Sequence, residues 1–147
     1  MKSRSRLILE KSIAAMLSAI EIYNKPDFKY REETFSVLCI NSWELLLKAK
    51  VLNLASNKVA SLYAMEYRTL KNGKKSTVKR PKTNRSGNPL SINLFEAYRI
   101  TTEDYGVKIN KAVYDNLNRH QFARHLLVRE NDSNRGVYEQ QTISRRI

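Results

Sequence analysis

Between Arg31 and Ala55 apolar side chains recur at every helical interval. Phe35, Leu38, Ser42, Leu45, Ala49 and Leu52 lie three and four apart, while Val37, Ile40, Leu46, Leu47 and Val51 fall off that stripe. The predicted helix is therefore apolar most of the way round, and such a helix is enclosed by other elements rather than laid on a surface. Glu32 and Glu33 at its start, with Lys48 and Lys50 in its far half, match the helix dipole. Neither Gly nor Pro interrupts it.

An earlier helix is predicted from about Arg6 to Tyr23, where Leu9, Ile13, Met16, Ile20 and Tyr23 recur at the same spacing. Ala14, Ala15 and Ala19 lie between them, small enough to let another helix come close. Asn24-Lys25-Pro26-Asp27 ends it, because the residue before a proline is pushed out of the helical region. The short connection predicts an antiparallel helical hairpin.

After Ala60 the period changes. Residues 63–70 and 75–80 suit strands, and Asn72-Gly73 between them is a hairpin signal. Asn84 to Pro89 has turn chemistry. Ser91 is a predicted cap for a helix over Ile92–Tyr105, with Leu94, Phe95, Tyr98 and Ile100 facing the core and Gly106 ending it. Asn110 caps a last helix from Lys111 towards Glu130. The reading is a mainly α protein: one domain over residues 1–130, a bundle of about four helices, a β-excursion over about 61–90 after the second, and a polar tail over 131–147.

Charge changes the picture most. The chain has 147 residues, and 27 Lys and Arg outnumber 14 Asp and Glu to give a net +13. Such an excess favours polyanions, nucleic acid first. Lys71, Lys74, Lys75, Lys79, Arg80, Lys82 and Arg85 fall in one stretch without an acid. They form a candidate nucleic-acid-binding surface, or else a solvated basic loop. The single cysteine, Cys39, excludes an internal disulfide and fits a reducing cytoplasm. No stretch approaches the roughly 18 apolar residues that a membrane span needs, so a membrane partner is not expected.

Both histidines, His120 and His125, lie in NRHQFARHLLVRE beside Arg119. Imidazole moves protons near neutrality, and guanidinium neutralises charge developing on a phosphate. Together they suit metal-free cleavage of RNA, though two solvent-facing histidines on a basic helix account for the same pattern. Neither a metal-ligand set, a phosphate-cradling glycine loop nor a nucleophile elbow is legible, so no metal or cofactor is expected. Glu44, inside the apolar helix, needs a partner, and a Lys or Arg from another helix would supply one.

The block YREETFSVLCINSWELLLKAKVL, with its core from Trp43 to Ala49, resembles the opening helices of a bacterial domain-of-unknown-function family of the HEPN superfamily. The later stretch from Arg85 to Leu117 resembles it too, so the likeness spans about residues 10–117. The resemblance implies a helical bundle, commonly a homodimer. Many such proteins are metal-independent ribonucleases of toxin–antitoxin or antiphage systems; others only bind nucleic acid or nucleotides. It also implies an active motif of an arginine followed after four to six residues by a histidine, a spacing met here by Arg119, His120 and His125, with two copies facing across a dimer. RNA, a second copy and an antitoxin or defence-system protein are the partners this implies. The alternative is a catalytically inert helical module that binds nucleic acid or protein, or a truncated remnant of a longer family member.

Overall fold

A computed structural model describes residues 1–70 and 73–119. Helix α1 spans Arg4–Asn24 and α2 spans Arg31–Leu54. A 3-10 turn at Val59–Leu62 leads to strands β1, Met65–Thr69, and β2, Lys75–Pro81, which among the described residues form a two-stranded sheet. Helix α3 covers Leu94–Arg99 and widens into a π turn at Ile100–Asp104. A further helix, α4, occupies residues 111–119. The protein is mainly helical with one small antiparallel hairpin.

The α1–α2 hairpin is antiparallel, as three contacts along its length show. The Ser5 amide donates to Asn57 Oδ1 at 2.9 Å at one end. In the middle the Ser12 and Ser42 hydroxyls donate to each other's backbone carbonyls at 2.8 and 2.9 Å. At the far end the Tyr23 and Phe35 rings pack 5.1 Å apart. Asn57 and Ser56 both hold positive φ just past the end of α2. Asparagine tolerates that conformation, and here it aims a side-chain acceptor at the free amides of α1.

What α1 turns towards α2 is a row of small residues. Ser5, Ser12 and Ala19, seven apart, are its buried positions. Much of the apolar stripe read from the sequence points elsewhere: Leu9, Ile13 and Ile20 remain exposed, Met16 is partly buried, Tyr23 is half exposed against Phe35, and of the three interspersed alanines only Ala19 is buried. Small residues let the two backbones approach closely, and that approach rotates the large side chains out of the interface.

Helix α2 is buried on two sides rather than all round. Ser42 and Ala49 meet α1, while Ile40, Leu47, Val51 and Leu52 join Leu62, Ile92, Leu94, Ala97 and Leu117 in the main core. Val37 and Leu46 stay exposed. Glu44 finds its partner on its own helix, since Lys48 Nζ lies 2.6 Å from its carboxylate and also donates to Ser91 Oγ at 2.9 Å. One turn of spacing sufficed where a second helix had been expected.

Two boundaries differ from expectation. Helix α3 starts at Leu94, capped by Asn93, whose Oδ1 accepts from the Glu96 amide at 2.9 Å. Ser91 cannot serve there because it is committed to a bridge with Tyr63. At the other end the Thr101 and Thr102 hydroxyls donate back to the carbonyls of Ala97 and Tyr98, a bond that competes with regular helix. Gly106 follows at φ +66, as expected of a helix end. Tyr114 of α4 packs against Phe95 and Tyr98, at centroid distances of 5.6 and 4.8 Å. Among the described residues no helix is long and apolar enough to cross a membrane.

Candidate nucleic-acid interface

The β1–β2 ribbon grows from a short lattice of backbone bonds anchored in the core. Ala64 donates to Leu90, Lys82 to Ala64, Leu90 to Lys82 and Ile92 to Leu62, all between 2.7 and 2.9 Å. Leu62 and Ile92 at its root are buried. The base of the ribbon is thus fixed to the bundle while its length stands in solvent, with most positions on both strands exposed.

Pairing sets Met65 opposite Pro81, Glu66 opposite Arg80, Tyr67 opposite Lys79 and Thr69 opposite Lys75. Between the last two pairs the register slips, and the Ser76 hydroxyl accepts from the Val78 amide at 3.1 Å across the irregular stretch. The bulge on β2 lies opposite Arg68, which is exposed. At the tip Gly73 holds φ +77 and donates to the Leu70 carbonyl at 2.9 Å, the geometry a glycine supplies cheaply.

Cations dominate what the ribbon presents. Lys74, Lys75, Lys79 and Arg80 are exposed along it, and Lys82 and Arg85 on the loop that follows. That loop is ordered by Asn84, whose Oδ1 accepts from the amides of Ser86 and Asn88 at 3.0 and 2.9 Å. Lys79 Nζ sits 5.3 Å from the centre of the half-exposed Tyr67 ring, a cation–π distance. From Tyr67 to Phe95 the sequence has no acid at all.

The acidic counterpart lies on α3 and the π turn that follows it. Arg99 is held by Glu96 at 2.8 Å and by Glu103 and Asp104 at 3.5 Å. Its hydrogen bond to Glu96 holds that carboxyl below the usual range, and the charge of Lys79 adds to the effect. Burial works the other way on Cys39, raising its thiol above the ordinary value and leaving it a poor nucleophile.

The structure brings six of the seven predicted backbone-binding cations onto one protrusion; Lys71 lies outside the described residues. Arg119 is exposed in the last described turn of α4. His120 and His125 also lie outside the described residues. Arg68 and Tyr67 belong to the basic surface although the acid-free run read from the sequence began only at Lys71. Strand pairing sets Tyr67 opposite Lys79, and Arg68 follows it on β1. No group of three His, Cys, Asp or Glu that could hold a metal occurs among the described residues.

No curated protein and no solved structure matches the chain. A family model described as a domain of unknown function, DUF3644, matches residues 7–131, taking in both helices of the hairpin, the basic ribbon and α4. The chain belongs to the DUF3644 family.

Proposed function

We propose that this is an RNA-directed protein of HEPN type whose basic ribbon grips the RNA backbone. The observation that carries the reading is the ribbon itself. It is a rooted two-stranded projection, solvated on both faces, with Arg68, Lys75, Lys79 and Arg80 against the single carboxylate of Glu66. Phosphate contacts from such a surface are independent of base sequence and weaken as salt rises. The half-exposed Tyr67 ring adds a face on which an unpaired base can stack.

The sharper form of the reading is metal-independent cleavage by Arg119, His120 and His125. It rests on the likeness of the Trp43–Ala49 block to HEPN proteins and on the chemistry of the trio. One imidazole takes the proton of a 2′-hydroxyl and the freed oxygen attacks phosphorus. The 5′-oxygen leaves with a proton from a second imidazole, while Arg119 neutralises the charge on the phosphorane. Two copies of the motif would meet at one phosphate, in a defence or toxin module whose partner protein restrains it.

The test is incubation of the purified full chain with total RNA in EDTA. Wild type is expected to cleave; His125→Ala and Arg119→Ala are expected to bind equally well and not cleave. Binding without cleavage by wild type would leave the inert nucleic-acid-binding module as the function. Failure to bind RNA would remove both forms.

A further inference from the structure

Between the two helices of the hairpin runs a cleft of about 660 Å³, a size at which small-molecule sites are found. Leu9 and Ile13 of α1 wall one side and Leu46 of α2 the other, all three exposed. Past Ile13 and Leu46 a second hollow continues along the same seam to Met16, Leu17 and Trp43. Its floor offers a ligand few polar atoms. Ala49 is buried, and the Ser12 and Ser42 hydroxyls are committed to each other's backbone carbonyls. No residue from Ser12 to Ile20 is charged, although 28% of the chain is.

The charges gather at the other end of the groove, where Arg6 and Lys50 stand in the wall with Ser3 and Asn53. Glu10 is there too, but Lys2 holds both its carboxylate oxygens, at 2.8 and 3.0 Å. Arg6 reaches that carboxylate only at 3.4 Å, with its side chain 68% exposed. Lys50 is exposed and makes no ion pair among the described residues. With Glu10 matched by Lys2, this end is positive.

We infer that the groove binds a fatty acid, its carboxylate at Arg6 and Lys50 and its acyl chain laid over Leu9, Ile13 and Leu46 towards Trp43. A flexible chain with one anionic end matches both halves of the groove. A packed apolar helix would instead set its side chains against Arg6, Glu10 and Lys50. From Arg6 to Leu17 the helix rises about 16 Å, the reach of a medium-length acyl chain. Each methylene buried on the apolar walls adds to binding, and the carboxylate gains charge-assisted hydrogen bonds. The groove lies on the hairpin and takes in no residue of the ribbon, so the inference is independent of any action on RNA.

Calorimetric titration of the full chain with decanoate at pH 8, up to about 200 μM, tests it. Binding is expected to saturate and to shift the emission of Trp43, the chain's single tryptophan. Decanol has the same chain without the charge, and hexanoate the same charge on a shorter chain. Each is expected to bind about tenfold more weakly or worse. Lys50→Glu is expected to weaken decanoate about tenfold and leave decanol unchanged. Lys29→Glu makes the same charge change in the turn between α1 and α2, and is expected to leave decanoate binding unchanged. Ile13→Gln, at an exposed position, is expected to keep its far-UV circular dichroism while both ligands weaken. No saturable binding, as when a second copy or another part of the chain closes the groove, overturns the inference. So does binding that leaves Trp43 emission unchanged, decanol binding as well as decanoate, or Lys29→Glu weakening decanoate as much as Lys50→Glu.

Discussion

Ser12 and Ser42 hold each other by reciprocal bonds, each hydroxyl donating to the other residue's backbone carbonyl at 2.8 and 2.9 Å, with the two oxygens 3.4 Å apart. Both residues are almost fully buried. The pair fixes how far α1 slides along α2, and it works only because neither side chain is larger than a hydroxymethyl group. A buried serine would ordinarily be a cost; here both donors are satisfied and the helices gain a register lock.

Ser12→Ala removes one bond and leaves the Ser42 hydroxyl still satisfied. It is expected to cost about 1 kcal/mol. Ser12→Leu forces the backbones apart and is expected to cost about 3 kcal/mol, although it adds apolar volume. Urea unfolding midpoints of the two variants check the ordering; a leucine variant as stable as wild type would refute the close seam.

Asn57 combines a strained backbone, φ +59, with a side chain that accepts from the Ser5 amide. Asn57→Gly relieves the strain but loses the acceptor. Asn57→Ala keeps the strain and loses the acceptor as well, so it is expected to be the worse variant by about 1 kcal/mol. Thermal unfolding of both proteins measures the difference.

Neutralising Lys75, Lys79 and Arg80 together to alanine is expected to weaken RNA binding without changing far-UV circular dichroism, because all three are exposed. With single-stranded RNA, three lost phosphate contacts reduce the slope of log K against log salt by about 2. Titration at four salt concentrations reads the slope directly. An unchanged slope would show that the ribbon does not touch phosphate.

Arg99 holds the Glu96 carboxyl below its ordinary value of 4.5. A carboxyl depressed in the folded state stabilises the fold above its unfolded pKa, and that contribution fades as pH falls through the folded value. The pair is half exposed, so the effect is expected to stay below about 1 kcal/mol. Between pH 7 and pH 3, Glu96→Gln is expected to lose less stability than wild type in urea unfolding.

Helix α2 was legible almost residue for residue, because an uninterrupted apolar segment with acids at its start admits few other structures. The hairpin turn at Gly73 and the helix end at Gly106 were legible for a similar reason, since only special residues reach those backbone angles cheaply. The start of α3 was misplaced by two residues. Ser91 and Asn93 are both good caps, and only the bridge between Ser91 and Tyr63 decides between them. The basic ribbon was legible as a charge run, but Arg68 joined it only through strand pairing.

By itself the sequence determined the helices, the turns and the sign of the surface, all properties of neighbours a few residues apart. Which face of α1 is buried was decided by tertiary structure. Periodicity reports where apolar residues recur on a helix, and on α1 they recur at Leu9, Ile13, Met16, Ile20 and Tyr23. Packing instead rewards the close approach of two backbones, and along α2 that approach buries the small residues Ser5, Ser12 and Ala19.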